Sequence, residues 1–133
     1  MRALVLLLAL LIGFSAPARA DDVSDAQATI RAQAEAFGRD DAAAAYGFAA
    51  PGIQNMFPQA DFMDMVRGRY APVYRHKSFE FGEFKAADGS IAQKVHIIDA
   101  DGVPWEAMYT LERQPDGSLK ITGCVLLKGG EAV

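Results

Sequence analysis

A single cysteine, Cys124, stands in the 133 residues, so no internal disulfide can staple the fold and stability must come from packing. It follows Gly123 inside an apolar strand pattern and reads as a small buried hydrophobe. The two histidines, His76 and His96, have no second histidine or glutamate at a metal-binding helical spacing, so no metal site is indicated. Basic residues are outnumbered, 13 Lys plus Arg against 17 Asp plus Glu, and they form no cluster. That balance argues against nucleic acid and anionic lipid headgroups as partners. A glycine-rich phosphate loop and a Gly-x-Ser-x-Gly elbow are both missing. Asp99-x-Asp101-Gly102 has the opening of a calcium loop but not its later oxygen ligands, and is expected to be a hairpin turn.

What is present begins with Arg2, the apolar run from Ala3 to Phe14, and Ala18-Arg19-Ala20 before two aspartates. That order is expected of a cleaved secretory signal over residues 1–20, leaving a single domain over 21–133 that is periplasmic or secreted. Twelve apolar residues fall short of the roughly 20 a helix needs to span the hydrocarbon core, so no membrane insertion is expected after cleavage. Losing Arg2 and Arg19 would leave 11 basic residues against 17 acidic ones, a formal charge of −6. The remaining length suffices for one core.

Ser24 and Gln27 have capping-box spacing ahead of Ile30, Ala34 and Phe37, which predicts a helix over Asp25–Phe37 ended by a left-handed Gly38. Asp40 or Asp41 is expected to cap a second helix from Ala42 to Phe48, stopped by Pro51-Gly52. Ile53–Phe57 reads as a connection. Phe62, Val66 and Tyr70 stripe a third helix over Ala60–Tyr70, ended by Pro72. The period then changes to two. Phe79, Phe81 and Phe84 share a face if Gly82 marks a bulge, and Asp88-Gly89 turns into Ile91, Val95 and Ile97. After Gly102, the residues Val103, Trp105, Ala107, Tyr109 and Leu111 alternate; after Gly117, so do Leu119, Ile121, Gly123, Val125 and Leu127. The expected class is α+β, three N-terminal helices packed on a curved four-stranded antiparallel meander. Ile98, Met108, Cys124 and Leu126 would lie on the outer sheet face, where a second copy of the chain is expected to cover them as a homodimer.

Ala36-Phe37 with Asp40-Asp41, Phe48-Ala49-Ala50-Pro51 with Ile53-Gln54, Phe57, Phe62, Met65-Val66, Tyr70 with Pro72-Val73-Tyr74, Gln93 with Val95, Tyr109, and Gly117 with Ile121 and Gly123 together resemble a bacterial family. It is labelled domain of unknown function family 4864, and is itself similar to the nuclear transport factor 2-like superfamily. The resemblance implies a helix-lined conical cavity closed by a bent antiparallel sheet. It supplies no catalytic residue. Where the family usually has a tryptophan after the last glycine turn, this chain has Leu119, and Trp105 is expected to fill the same space.

Aromatic excess without matching ionisable groups points to a non-catalytic module that holds a small apolar or amphipathic ligand, or a protein partner, through Phe62, Tyr70, Tyr74, Trp105 and Tyr109, with no cofactor. The alternative is an isomerase or dehydratase using a cavity carboxylate and a tyrosine, drawn from Asp64, Tyr70, Tyr74 and Tyr109. Asp64 lies two residues past Phe62, about 160° to 200° around the helix, and is expected in water. His96 is expected at a surface or interface.

Overall fold

The computed structural model describes residues 19–129, so nearly all of the expected export signal lies outside the described residues. The first helix, α1 (Arg19–Gly38), places Ala26, Ile30, Gln33, Ala34 and Phe37 on one buried stripe at steps of three and four. It already includes Asp21 to Val23, so Ser24 lies within it and the Ser24/Gln27 spacing caps nothing. Gly38 remains helical, and the left-handed residue is instead Asp40, at φ +56°. An aspartate tolerates that region when its short side chain finds local partners, and those of Asp40 are Tyr74 and Arg75. Asp41 caps α2 (Ala42–Gly47), its carboxylate accepting from the Ala44 N–H at 3.1 Å.

Pro51 and Pro72 were expected to stop helices, and each also stands in the first turn of the next one. Pro51 opens α3 (Pro51–Met56), because its missing N–H costs nothing in a first turn. The expected connection Ile53–Phe57 is therefore mostly helical. The amide of Gln54 holds this turn to α2 by donating to the carbonyls of Tyr46 at 2.9 Å and Ala49 at 3.2 Å. Next comes α4 (Gln59–Arg69), burying Phe62, Met63 and Val66, and then the single turn α5 (Ala71–Tyr74), which contains Pro72. The described residues thus hold five helices rather than three.

The strands β1 (His76–Ala87), β2 (Ser90–Asp99), β3 (Pro104–Arg113) and β4 (Leu119–Lys128) form one antiparallel sheet in chain order. It is open, with β1 and β4 as edges. The β1 bulge falls between Phe81 and Phe84 as expected. A Cβ at Gly82 would come within 2.7 Å of the His96 ring, so a larger residue there would have to displace that half-exposed side chain. A bulge leaves backbone carbonyls without ladder partners; the buried Gln93 amide answers those of Gly82 and Glu83 at 3.1 and 3.2 Å.

A second bulge, in β4, was not foreseen. Leu111 pairs with Ile121, yet Thr110 pairs with Gly123, which leaves Thr122 as an extra residue. One inserted residue inverts the alternation beyond it. Leu119 and Ile121 face the core, but past Thr122 it is Cys124 and Leu126 that pack inward, while Val125 and Leu127 are 59% and 62% exposed. The expected outer-face positions of Cys124 and Leu126 are thereby corrected. The segment between α2 and α3 is pinned to this strand: the Ala50 N–H donates to the Ile121 carbonyl at 2.8 Å, and the Ile121 N–H to the Phe48 carbonyl at 2.9 Å.

Candidate functional site

A hollow of about 410 Å³ lies between the helices and the β3–β4 side of the sheet. Phe37 from α1, Ile53 from α3, Phe62 and Met65 from α4, Tyr70 after it, Tyr109 from β3 and Cys124 from β4 all line it. The β4 bulge is what directs Cys124 inward, and the pinned α2–α3 segment sets Ile53 over the strand. Met56, 69% exposed, also lines the hollow, so it opens to solvent beside α3.

Tyr109 lies at the far end from that opening in exposure, with 1% of its surface accessible. Its hydroxyl is buried and has no hydrogen-bond partner. Its cross-strand neighbour is Cys124. Burial drives the Tyr109 phenol well above its ordinary pKa, and the neighbouring thiol adds to the effect. Burial likewise pushes the Cys124 thiol up to about 12. Both groups are neutral over the physiological range. Gln33, which is buried and also lines the hollow, is committed, its amide donating to the Ala45 carbonyl at 3.1 Å. Among the described residues, no carboxylate, histidine, lysine or arginine lines the hollow.

Of the five aromatic residues expected to converge, Phe62, Tyr70 and Tyr109 do so, and Tyr74 and Trp105 do not. Tyr70 and Tyr74 have helical spacing, but Tyr70 itself breaks the helix at φ −122°, ψ 37°, so the stripe is not continuous across it. Tyr74 packs its ring 6.2 Å from that of Phe37 but lines a different cleft, where its hydroxyl donates to Asp40 and the Arg75 guanidinium lies 4.1 Å from its ring centre. The Trp105 indole N–H donates to the Asp99 carboxylate at 2.9 Å. Asp99 also accepts from the backbone N–H groups of Asp101 and Val103, both at 2.9 Å, so the Asp-x-Asp-Gly segment is a self-satisfied turn. Nor does Trp105 stand in for a tryptophan at position 119: it pairs with Lys128, whereas Leu119 pairs with Arg113 at the other end of the strands.

Asp64 is in water, its side chain 78% exposed and 3.4 Å from Arg67. His96 is on the outer sheet face, 3.5 Å from Glu106. The lining residues missed from sequence include Phe37, Ile53, Met65 and Cys124. Phe37 carried a usable signal, as the last member of the α1 stripe; Cys124 required the bulge.

A family model described as domain of unknown function (DUF4864) matches residues 19–132. The chain belongs to that family. The DUF4864 match runs from α1 through β4, so every residue lining the hollow falls inside it. No curated protein matches the chain.

Proposed function

We propose that this DUF4864 chain is an exported, non-catalytic module that holds a small apolar or amphipathic ligand inside a nuclear transport factor 2-like cone. The observation that carries the reading is the hollow itself. Its volume of about 410 Å³ falls within the roughly 300–1,000 Å³ of small-molecule sites, and its walls are almost wholly apolar. The N-terminal pattern Arg2, Ala3 to Phe14 and Ala18-Arg19-Ala20 supports export to the periplasm or beyond. The isomerase alternative needs a base beside a tyrosine hydroxyl. Tyr109 lines the hollow with its hydroxyl buried, but among the described residues no carboxylate or histidine lines it, and Asp64 faces solvent. Binding is therefore favoured over catalysis. Thermal denaturation of residues 21–133 against a panel of lipophilic compounds tests it, with a rise in melting temperature expected for some of them; a flat response throughout would end the binding reading.

A homodimer through the outer sheet face is a second reading, supported by Met108, Val125 and Leu127, which are exposed there with Met108 and Val125 directly paired. Light scattering is expected to give twice the chain mass, and Leu127→Lys to halve it. A strict monomer at high concentration would exclude this reading.

A further inference from the structure

Resting on the binding reading above, we infer that the hollow takes a single-chain amphiphile tail-first, burying its hydrocarbon and leaving its polar head in water at the mouth beside Met56. Three features of the site lead there. The first is what the interior lacks. Among the described residues no Lys, Arg, His, Asp or Glu lines the hollow, so a carboxylate or ammonium head carried inside would lose its hydration without recovering an ion pair. Of the polar side chains that do line it, Gln33 donates its amide to the Ala45 carbonyl, Thr122 meets the Thr110 hydroxyl at 3.0 Å, and the Tyr109 hydroxyl is sealed. Cys124 stays protonated to about pH 12 and brings no charge either.

The second feature is the mouth. Met56 lines the hollow yet is 69% exposed, and it belongs to α3, a helix without a buried residue. A ligand filling the hollow therefore keeps one end in water. A pure hydrocarbon would leave apolar surface hydrated there, at a cost proportional to its area, whereas an amphiphile puts its head in that place. The third feature is the neutrality of this rim. From Ala42 to Ala60, through α2, α3 and the start of α4, the chain has no Asp, Glu, Lys, Arg or His. The segment that carries Met56 thus selects neither sign of head, and the tail decides affinity. At roughly the 30 Å³ that a water molecule, and a methylene of similar size, occupies in a liquid, the 410 Å³ of the hollow hold about a dozen carbons.

Dodecanoate, dodecylammonium and dodecanedioate, with butylbenzene as a compact hydrocarbon, separate the outcomes when each is titrated below its micellar concentration against N-phenyl-1-naphthylamine bound to residues 21–133. Dodecanoate and dodecylammonium are both expected to displace the dye, with affinities within about five-fold of each other. Dodecanedioate must bury one of its two carboxylates, and is expected to bind at least about ten-fold more weakly than dodecanoate. Charge placed at the exposed rim then reports where the head sits. Met56→Lys is expected to tighten dodecanoate and weaken dodecylammonium by about two- to five-fold each, and Met56→Glu to do the reverse. Dodecanedioate bound as tightly as dodecanoate, Met56 variants that fail to move the two heads in opposite senses, or binding confined to butylbenzene or to the dye itself would overturn the inference while the binding reading survived. If none of these compounds bound, the dye included, both would fall together.

Discussion

Tyr74 and Tyr109 carry the same phenol into two different clefts. Around Tyr74 every polar group is answered: its hydroxyl donates to Asp40, Arg75 reaches both Asp40 oxygens at 3.1 and 3.3 Å, and Arg67 approaches the same hydroxyl at 3.4 Å. The Tyr109 hydroxyl, by contrast, has no partner of good geometry among the described residues. The cleft beside Tyr74 has a volume of about 440 Å³, much like the hollow, so size does not distinguish them. Hydrogen-bond accounting does: one region has spent its polar capacity on the fold, and the other has held some back.

The strongest way to break the contrast is to remove the ring that packs against residues of both. The Phe37 ring lies 6.2 Å from that of Phe62 and 6.2 Å from that of Tyr74, and it is 1% exposed. Phe37→Ala is expected to cost about 3–5 kcal/mol in urea denaturation; a loss below about 1 kcal/mol would mean the two regions do not share a packed ring. Next in size is the chemistry of the interior. With its thiol pushed up to about 12, Cys124 is expected to react with iodoacetamide at pH 8 at least about a hundred-fold more slowly than a free thiol. A rate near that of free cysteine would place it in water.

The two phenols themselves should answer with opposite signs. In the ligand-free protein Tyr109→Phe is expected to raise stability by about 1 kcal/mol, because it deletes an unpaired buried group, whereas Tyr74→Phe lowers the urea midpoint by breaking a made bond. Matching signs would remove the distinction. The smallest effect concerns acid. The Tyr74 hydroxyl, aided by Arg75, holds the Asp40 carboxyl below its ordinary range. A depressed pKa gives stability that is present above the unfolded value and lost as pH falls through the folded one. Melting temperatures of Asp40→Asn should therefore fall less steeply than those of the parent below about pH 4, and equal slopes would show that Asp40 contributes nothing there. Only part of the acid slope is at stake, since Asp99 and Asp116 are also depressed, by their own turns.

The class α+β, the meander and the alternation in β1 to β3 were legible because turn residues and period-two patterns agreed at each point. The Gly82 bulge was legible too, since three phenylalanines could share a face only with it. The β4 bulge was not: Cys124, Val125, Leu126 and Leu127 are apolar at both parities, so alternation gave no direction, and only Gly123 beside Thr122 hinted at a break. Pro51 and Pro72 are ambiguous in principle, since proline ends one helix and begins the next equally well. The same limits shaped the site. Phe62 and Tyr109 follow from clean periodicity, while Tyr74 was misplaced by carrying helical spacing across Tyr70.

The extra residue at Thr122 has a consequence for deletion of a single codon. Without it, two bulky aliphatic side chains would swing to the core-facing positions that Cys124 and Leu126 now hold, and the one replacing Cys124 would crowd the receptacle. The sulfur would swing out in exchange, open to oxidants and free to cross-link one molecule to another.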